Sequence, residues 1–160
     1  MARSSWAATF AVAMVLALPA CSDDTSDTPA SPTPSPTQSM SATMEVETVT
    51  TATSSLGTIL VDEDGMTLYL FTKDTQGSGA STCAGDCLTA WPAVEAPAQA
   101  GSGVDAAKLG SITRDDGSKQ ATYNGWPLYY YQDDTAPGLA TGQGVGGVWW
   151  VLDPAGDAIR

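Results

Sequence analysis

The sequence predicts a small all-β domain of antiparallel strands, sandwich or barrel-like, built from two homologous halves and preceded by a signal peptide and a disordered tether. Three observations predict it. Short β-branched and aromatic runs are separated by Gly-containing turn signals, the pattern of half-buried strands joined tightly. Helical periodicity is nearly absent. Shifting the chain against itself by 60 residues superposes Gly65–Asp74 on Gly125–Asp134, and both segments read G-x-x-L-Y-x-[FY]-x-x-D.

At the N terminus, Arg3 and the amino group form a weakly positive region, and Trp6 to Leu18 form an apolar run too short to span a bilayer as a permanent helix. Residues 1–20 therefore read as a signal peptide. The run ends Leu18-Pro19-Ala20-Cys21, which resembles the bacterial lipobox, with an aliphatic residue three before the cysteine and a small one directly before it. The resemblance implies diacylglycerol on the Cys21 thiol, and each buried CH₂ contributes about 0.8 kcal/mol of anchoring. The alternative is a secretory signal cleaved near Ala20, with Cys21 left as a free thiol.

Residues 21–45 read as the tether. From Ser22 to Thr43, 15 of 22 residues are Ser, Thr or Pro, a composition that buries too little apolar surface to offset chain entropy. Partly extended, at about 3.1 Å per residue, such a segment reaches on the order of 60 Å. The folded domain is expected over 46–160, with repeats at about 56–97 and 116–157.

Within it, strands are predicted at Thr58–Val61, Thr67–Phe71, Gln120–Tyr123, Leu128–Tyr131 and Val148–Leu152. Asp64-Gly65, Asp116-Gly117 and Asn124-Gly125 mark turns between such runs, because glycine takes the positive φ that tight hairpins require. The first and third predict hairpins directly. One short helix is predicted at Asp86–Ala90, stopped by Trp91-Pro92. Each motif copy is followed by tryptophan in an apolar run, Trp91 in one half and Trp149 with Trp150 in the other. Two copies favour closure of one shared core over an open solenoid, which needs more repeats.

The doubled Y-x-[FWY]-x-x-D element, preceded by Asp-Gly or Asn-Gly and followed by C-x-x-x-C and Trp-Pro, resembles the bacterial secreted-repeat lipoprotein family named for that motif. The likeness spans about residues 55–156 and includes Pro137-Gly138, Gly142-Gln143-Gly144 and Gly147-Val148-Trp149. It implies an exported, repeated protein, and it carries over no catalytic residue.

Read as strands, Tyr69 and Phe71 share one face, as do Tyr129 and Tyr131, while Tyr130 points to the other. Asp74 and Asp134 follow where each strand should end, placed to accept backbone N–H bonds and organise a turn. Core packing with turn-capping accounts for the motif. A second reading makes the same tyrosines and aspartates, with Trp126, Trp149 and Trp150, an aromatic and acidic groove suited to sugar rings.

Cys83 and Cys87 read as a structural disulfide in an oxidising compartment. Thiol chemistry is the alternative, but the spacing is not C-x-x-C and no neighbouring histidine or lysine lowers a thiol pKa. A zinc site would need further ligands that only carboxylates supply. Asp62-Glu63-Asp64-Gly65 resembles the opening of a calcium loop without its later ligands, so a solvated hairpin tip is the better reading and no metal is expected.

Composition narrows the function. Eighteen acidic residues against six basic ones exclude nucleic acid as a partner and disfavour direct adsorption on anionic lipid. The chain has no histidine, so Ser-His and Cys-His nucleophile arrangements are absent. The adjacent pairs Asp115/Asp116 and Asp133/Asp134 diverge in direction and make poor acid–base couples. We therefore expect no catalytic residue and no cofactor. The expected protein is an extracytoplasmic lipoprotein, held to the cell membrane through Cys21, whose domain is a non-enzymatic binding or structural module facing cell-wall glycan or an envelope protein. A carbohydrate-active or disulfide-redox envelope enzyme is the alternative.

Overall fold

The computed structural model describes residues 46–160. The signal peptide, the lipid attachment at Cys21 and the tether lie outside the described residues. The described chain begins with β1 (Glu47–Ser54), which reverses through Ser55 and Leu56 into β2 (Gly57–Val61). Ser54 fixes that turn: its hydroxyl accepts the Leu56 N–H at 3.0 Å and donates to the Gly57 carbonyl at 3.1 Å. At the next reversal Asp62 Oδ1 accepts the N–H groups of Asp64 and Met66 at 3.0 and 2.8 Å. This side-chain turn feeds Leu68, whose N–H bonds the Leu60 carbonyl, and then β3 (Tyr69–Phe71).

The remaining elements are α1 (Asp86–Ala90), β4 (Ala98–Ala100), β5 (Leu109–Thr113), β6 (Lys119–Tyr123), β7 (Trp126–Pro127) and β8 (Trp149–Val151). Asn124 and Gly125 join β6 to β7 with φ values of 50° and 80°, the two positive angles of a tight hairpin turn that the Asn-Gly pair predicts.

The described strands form three small sheets, ordered β2-β1-β4, β3-β8 and β5-β6-β7, and no barrel closes among them. All pairs are antiparallel except β1 with β4. Leu128–Tyr131, expected as a strand, contributes only bridges at Tyr129. Its backbone bonds go to several partners in turn: Leu128 to Ala121, Tyr129 to Tyr69 and Tyr130 to Pro92. No single ladder results.

The backbone of β2, β3 and the Leu128–Tyr131 segment runs between two apolar clusters. Leu60, Leu68, Leu70 and Leu128 enter one, with Val94, Tyr123 and Leu152. Ile59, Val61, Tyr69, Phe71 and Tyr129 enter the other, with Trp91, Trp149 and Val151. Successive side chains of a strand point to opposite sides, so one segment supplies both cores, and Tyr69–Phe71 is buried throughout. Both faces being buried explains why these runs carry apolar residues at every position rather than at every second one.

Candidate functional site

The motif residues meet where the two halves cross. The backbones of Tyr69 and Tyr129 bond reciprocally, N–H to carbonyl, at 2.8 and 3.0 Å. Their side chains then exchange partners. The Tyr69 hydroxyl donates to Asp134 Oδ2 at 2.5 Å, and the Tyr129 hydroxyl donates to Asp74 Oδ2 at 2.6 Å. The second oxygen of each carboxylate holds a threonine: Asp74 Oδ1 accepts the Thr82 N–H and hydroxyl at 2.7 and 2.8 Å, and Asp134 Oδ1 accepts those of Thr141 at 2.8 and 2.5 Å.

Each acid thus closes its own loop and grips the tyrosine of the other half. Asp74 and Asp134 are 4% and 5% exposed, so this satisfaction is what makes their burial tolerable. Burial, reinforced by the adjoining carboxylate, pushes both phenols far above the ordinary tyrosine value. They stay protonated donors at neutral pH.

Above the tyrosines lies a run of four stacked rings, Tyr131–Trp91–Trp149–Phe71. Trp91 and Trp149 stack at 3.9 Å with planes 4° apart, Tyr131 lies on Trp91 at 4.2 Å and Phe71 on Trp149 at 4.1 Å. Tyr69 meets Trp91 edge-on at 5.3 Å, and Tyr129 meets Trp149 edge-on at 5.1 Å. The pairing follows from the backbone. β3 pairs with β8, while Tyr130 and Gln132 donate to the carbonyls of Pro92 and Ala90. The aromatic segment of each half is therefore laid against the tryptophan segment of the other.

The structure places Tyr69, Phe71, Asp74, Tyr129, Asp134 and Trp149 in the interior. Tyr131 is half-buried at one end of the stack, and Trp126 stands apart, half-buried on β7 against the first cluster. These residues do not line a common groove. Cys83 and Cys87 are bonded, with S–S 1.96 Å and Cα atoms 5.3 Å apart. Asp62 and Glu63 have carboxylate oxygens engaged by backbone N–H groups, Glu63 accepting that of Thr48 at 2.7 Å. Among the described residues no group of Cys, Asp and Glu converges to hold a metal ion.

Sequence reasoning missed Thr82, Thr141, Ser81 and Arg114. The threonines were within reach: carrying the repeat alignment past each aspartate, with a one-residue gap, sets Ser81-Thr82-Cys83 against Ala140-Thr141-Gly142. Ser81 adds a hydroxyl contact to Tyr129 at 2.6 Å that Ala140 cannot supply to Tyr69, where the Gly142 N–H stands in at 3.2 Å.

A family model described as a secreted repeat of unknown function matches the chain twice, over residues 50–95 and 110–153. The chain belongs to this family. The two matches fall on the two structural halves: the first opens in β1 and ends just past Val94, and the second opens in β5 and ends just past Leu152. Membership in the secreted-repeat family places the domain outside the cytoplasm. No curated protein and no solved structure matches the chain.

Proposed function

We propose that this secreted-repeat protein is a lipoprotein, anchored to the cell membrane by lipid on Cys21, and that its domain is a non-enzymatic binding module of the envelope. The crossed Tyr–Asp pairs carry the reading. Both oxygens of Asp74 and of Asp134 are occupied by hydroxyl and N–H donors, and the rings around them are packed on one another. Carboxylates held this way neither activate a water nor protonate a leaving group. The motif is scaffold, and recognition belongs to surfaces it supports.

Labelling cells with radioactive palmitate tests the anchor. The wild-type chain should carry label and sediment with membranes, and Cys21→Ser should be unlabelled and released. A Cys21→Ser variant that stays in the membrane fraction overturns the anchor. For the binding role, the chain is titrated with isolated cell wall and its soluble glycan fragments, with the fluorescence of half-buried Trp126 and Trp150 as readout. Turnover of either material by the chain would overturn the non-enzymatic reading.

A further inference from the structure

The two halves agree at their Tyr, Asp, Thr and Trp positions and differ in the bridged loop of the first half and in the β5–β6 turn of the second, which meet at Arg114. The turn from β1 to β2 is short, Ser55-Leu56, and Leu56 packs into the aromatic cluster. Its counterpart between β5 and β6 runs from Arg114 to Ser118. The loops after the motif acids differ too: the first holds the Cys83–Cys87 bridge and α1, the second Gly142 and a 3₁₀ turn at Val145–Gly147.

Arg114 lies between the long turn and the bridged loop. It is half-buried, and it donates to the Cys83 carbonyl and to Gln120 Oε1. Both acceptors are neutral. A guanidinium has five N–H donors, so Arg114 has donors to spare after these two bonds, and its charge is shared with the neighbouring Asp116. Arg114 also lines two adjacent cavities, of about 220 and 410 Å³, which share Leu88, Arg114 and Asp116 in their walls and together form a groove. Small-ligand clefts run from about 300 to 1,000 Å³, and the larger cavity alone, at about 410 Å³, suits a small molecule or the end of a chain.

We propose that this groove binds the free carboxyl end of a short peptide. Arg114 offers a carboxylate the forked donor geometry that favours two parallel bonds, in a partly desolvated place where such bonds are strong. Leu88 and Pro92 give small apolar side chains a surface. The other charged groups on the walls choose the ligand class. Asp115 and Asp116 line one cavity, Glu95, Asp116 and Lys119 the other, all exposed, and the chain carries a net charge of −12. A polyanion is repelled by that field, whereas a peptide end presents one carboxylate with N–H and ammonium groups that the acids accept. The site rests on the reading of the domain as a binding module and names what it binds.

The test uses the full chain and three probes: alanyl-alanine, its C-terminal amide, and N-acetyl-alanyl-alanine. Backbone amide shifts of Ala84–Leu88 and Arg114–Lys119 are followed by NMR up to millimolar probe. Saturable shifts are expected with both acids, with the amide weaker by about tenfold or more, a difference of about 1.4 kcal/mol. Arg114→Gln should abolish them and Arg114→Lys should weaken them. If Arg114→Gln unfolds, the acid-against-amide comparison on the unchanged chain decides alone. Equal shifts from acid and amide, or saturation by none of the probes, overturns the site. The cell-wall titration separates the two failures: glycan binding without peptide shifts rejects the groove and keeps the module, and binding by neither rejects both.

Discussion

Tyr69 and Asp134 stand 65 residues apart in sequence and join through a 2.5 Å hydrogen bond inside the domain. They belong to different copies of one motif, and Tyr129 with Asp74 repeats the arrangement in reverse. The tyrosine and aspartate of a single copy are thus not partners of each other. The motif encodes an interface between two copies. Tyr69→Phe removes the donor but leaves Asp134 buried, at a cost of about 1.5–3 kcal/mol for a hydrogen bond to a charged group. Asp134→Asn should cost a similar amount, and a double-mutant cycle should show coupling of about 1 kcal/mol or more. Additive effects in urea unfolding would mean the bond is not formed in solution.

Crossed halves should not fold singly. Residues 46–97 hold Trp91 and Tyr69 but lack the β8 strand that pairs with β3, the Trp149 face and the Asp134 carboxylate. Residues 98–160 lack the matching groups. Each fragment is expected to show disordered NMR spectra alone, and an equimolar mixture to regain dispersed signals. A fragment with native-like dispersion by itself would show that the core is divisible.

Alkaline pH should unfold the domain. Burial raises the phenols of Tyr69, Tyr129 and Tyr130, and nearby carboxylates add to the shift. In the unfolded chain these phenols ionise near the ordinary value of about 10. A raised folded value means that the stabilisation is complete below about pH 10 and disappears as pH climbs from there through the folded values. The urea midpoint should hold steady from neutrality to about pH 9 and fall steeply above about pH 10, with phenolate absorbance appearing together with unfolding. The slope should lessen in Tyr69→Phe. Tyrosine ionisation ahead of unfolding would contradict the burial.

Legibility in the sequence followed local chemistry. Asn124-Gly125 gave its hairpin because the turn needs two positive φ values and that pair tolerates them. β3 and β8 were visible because their residues are apolar and aromatic. β1 was missed although it is the longest strand at 8 residues: Glu47-Thr-Val-Thr-Thr-Ala-Thr-Ser54 continues the Ser/Thr composition of the tether. β4 and β5 were missed because Ala98-Gln-Ala100 and Leu109-Gly-Ser-Ile-Thr113 lack a clear alternation. At the site, spacing put Tyr69 and Phe71 on one side, but no local pattern says that Asp134 rather than Asp74 accepts the Tyr69 hydrogen bond. That choice is made by how the two halves cross.

The Cys83–Cys87 bridge closes a small ring, with a separation of 4 residues. Loop-entropy reasoning assigns such a ring about 2 kcal/mol, so Cys83→Ala with Cys87→Ala should lower stability by about that amount without preventing folding. The Cys83 carbonyl is also the anchor for Arg114, so the loss should be felt at the β5–β6 turn. Faster amide exchange is expected at Arg114–Ser118, while Thr141 and Gly142, in the same half but held by Asp134 and Tyr69, keep their protection. An equal loss at Thr141 and Gly142 would show that the bridge acts on the whole core instead.

Gly142 lies hard against the aromatic packing. A Cβ there would lie 2.8 Å from Trp91 Cη2 and 2.9 Å from Tyr69 Cζ. Neither ring can retreat easily: Trp91 is stacked between Tyr131 and Trp149, and Tyr69 is tied to Asp134 and to the Gly142 N–H. The aligned position in the first half is Cys83, whose side chain is buried in the same cluster, so the two halves solve one packing problem with different volumes. Gly142→Ala should therefore destabilise by about 1–3 kcal/mol through overpacking and reduce the near-ultraviolet circular dichroism of the stacked tryptophans. Cys83→Ala with Cys87→Ala removes volume on the other side, together with the bridge, and should leave that signal largely intact. A Gly142→Ala variant as stable as the wild type, with its spectrum unchanged, would mean that the rings are farther from the Gly142 backbone than these distances state.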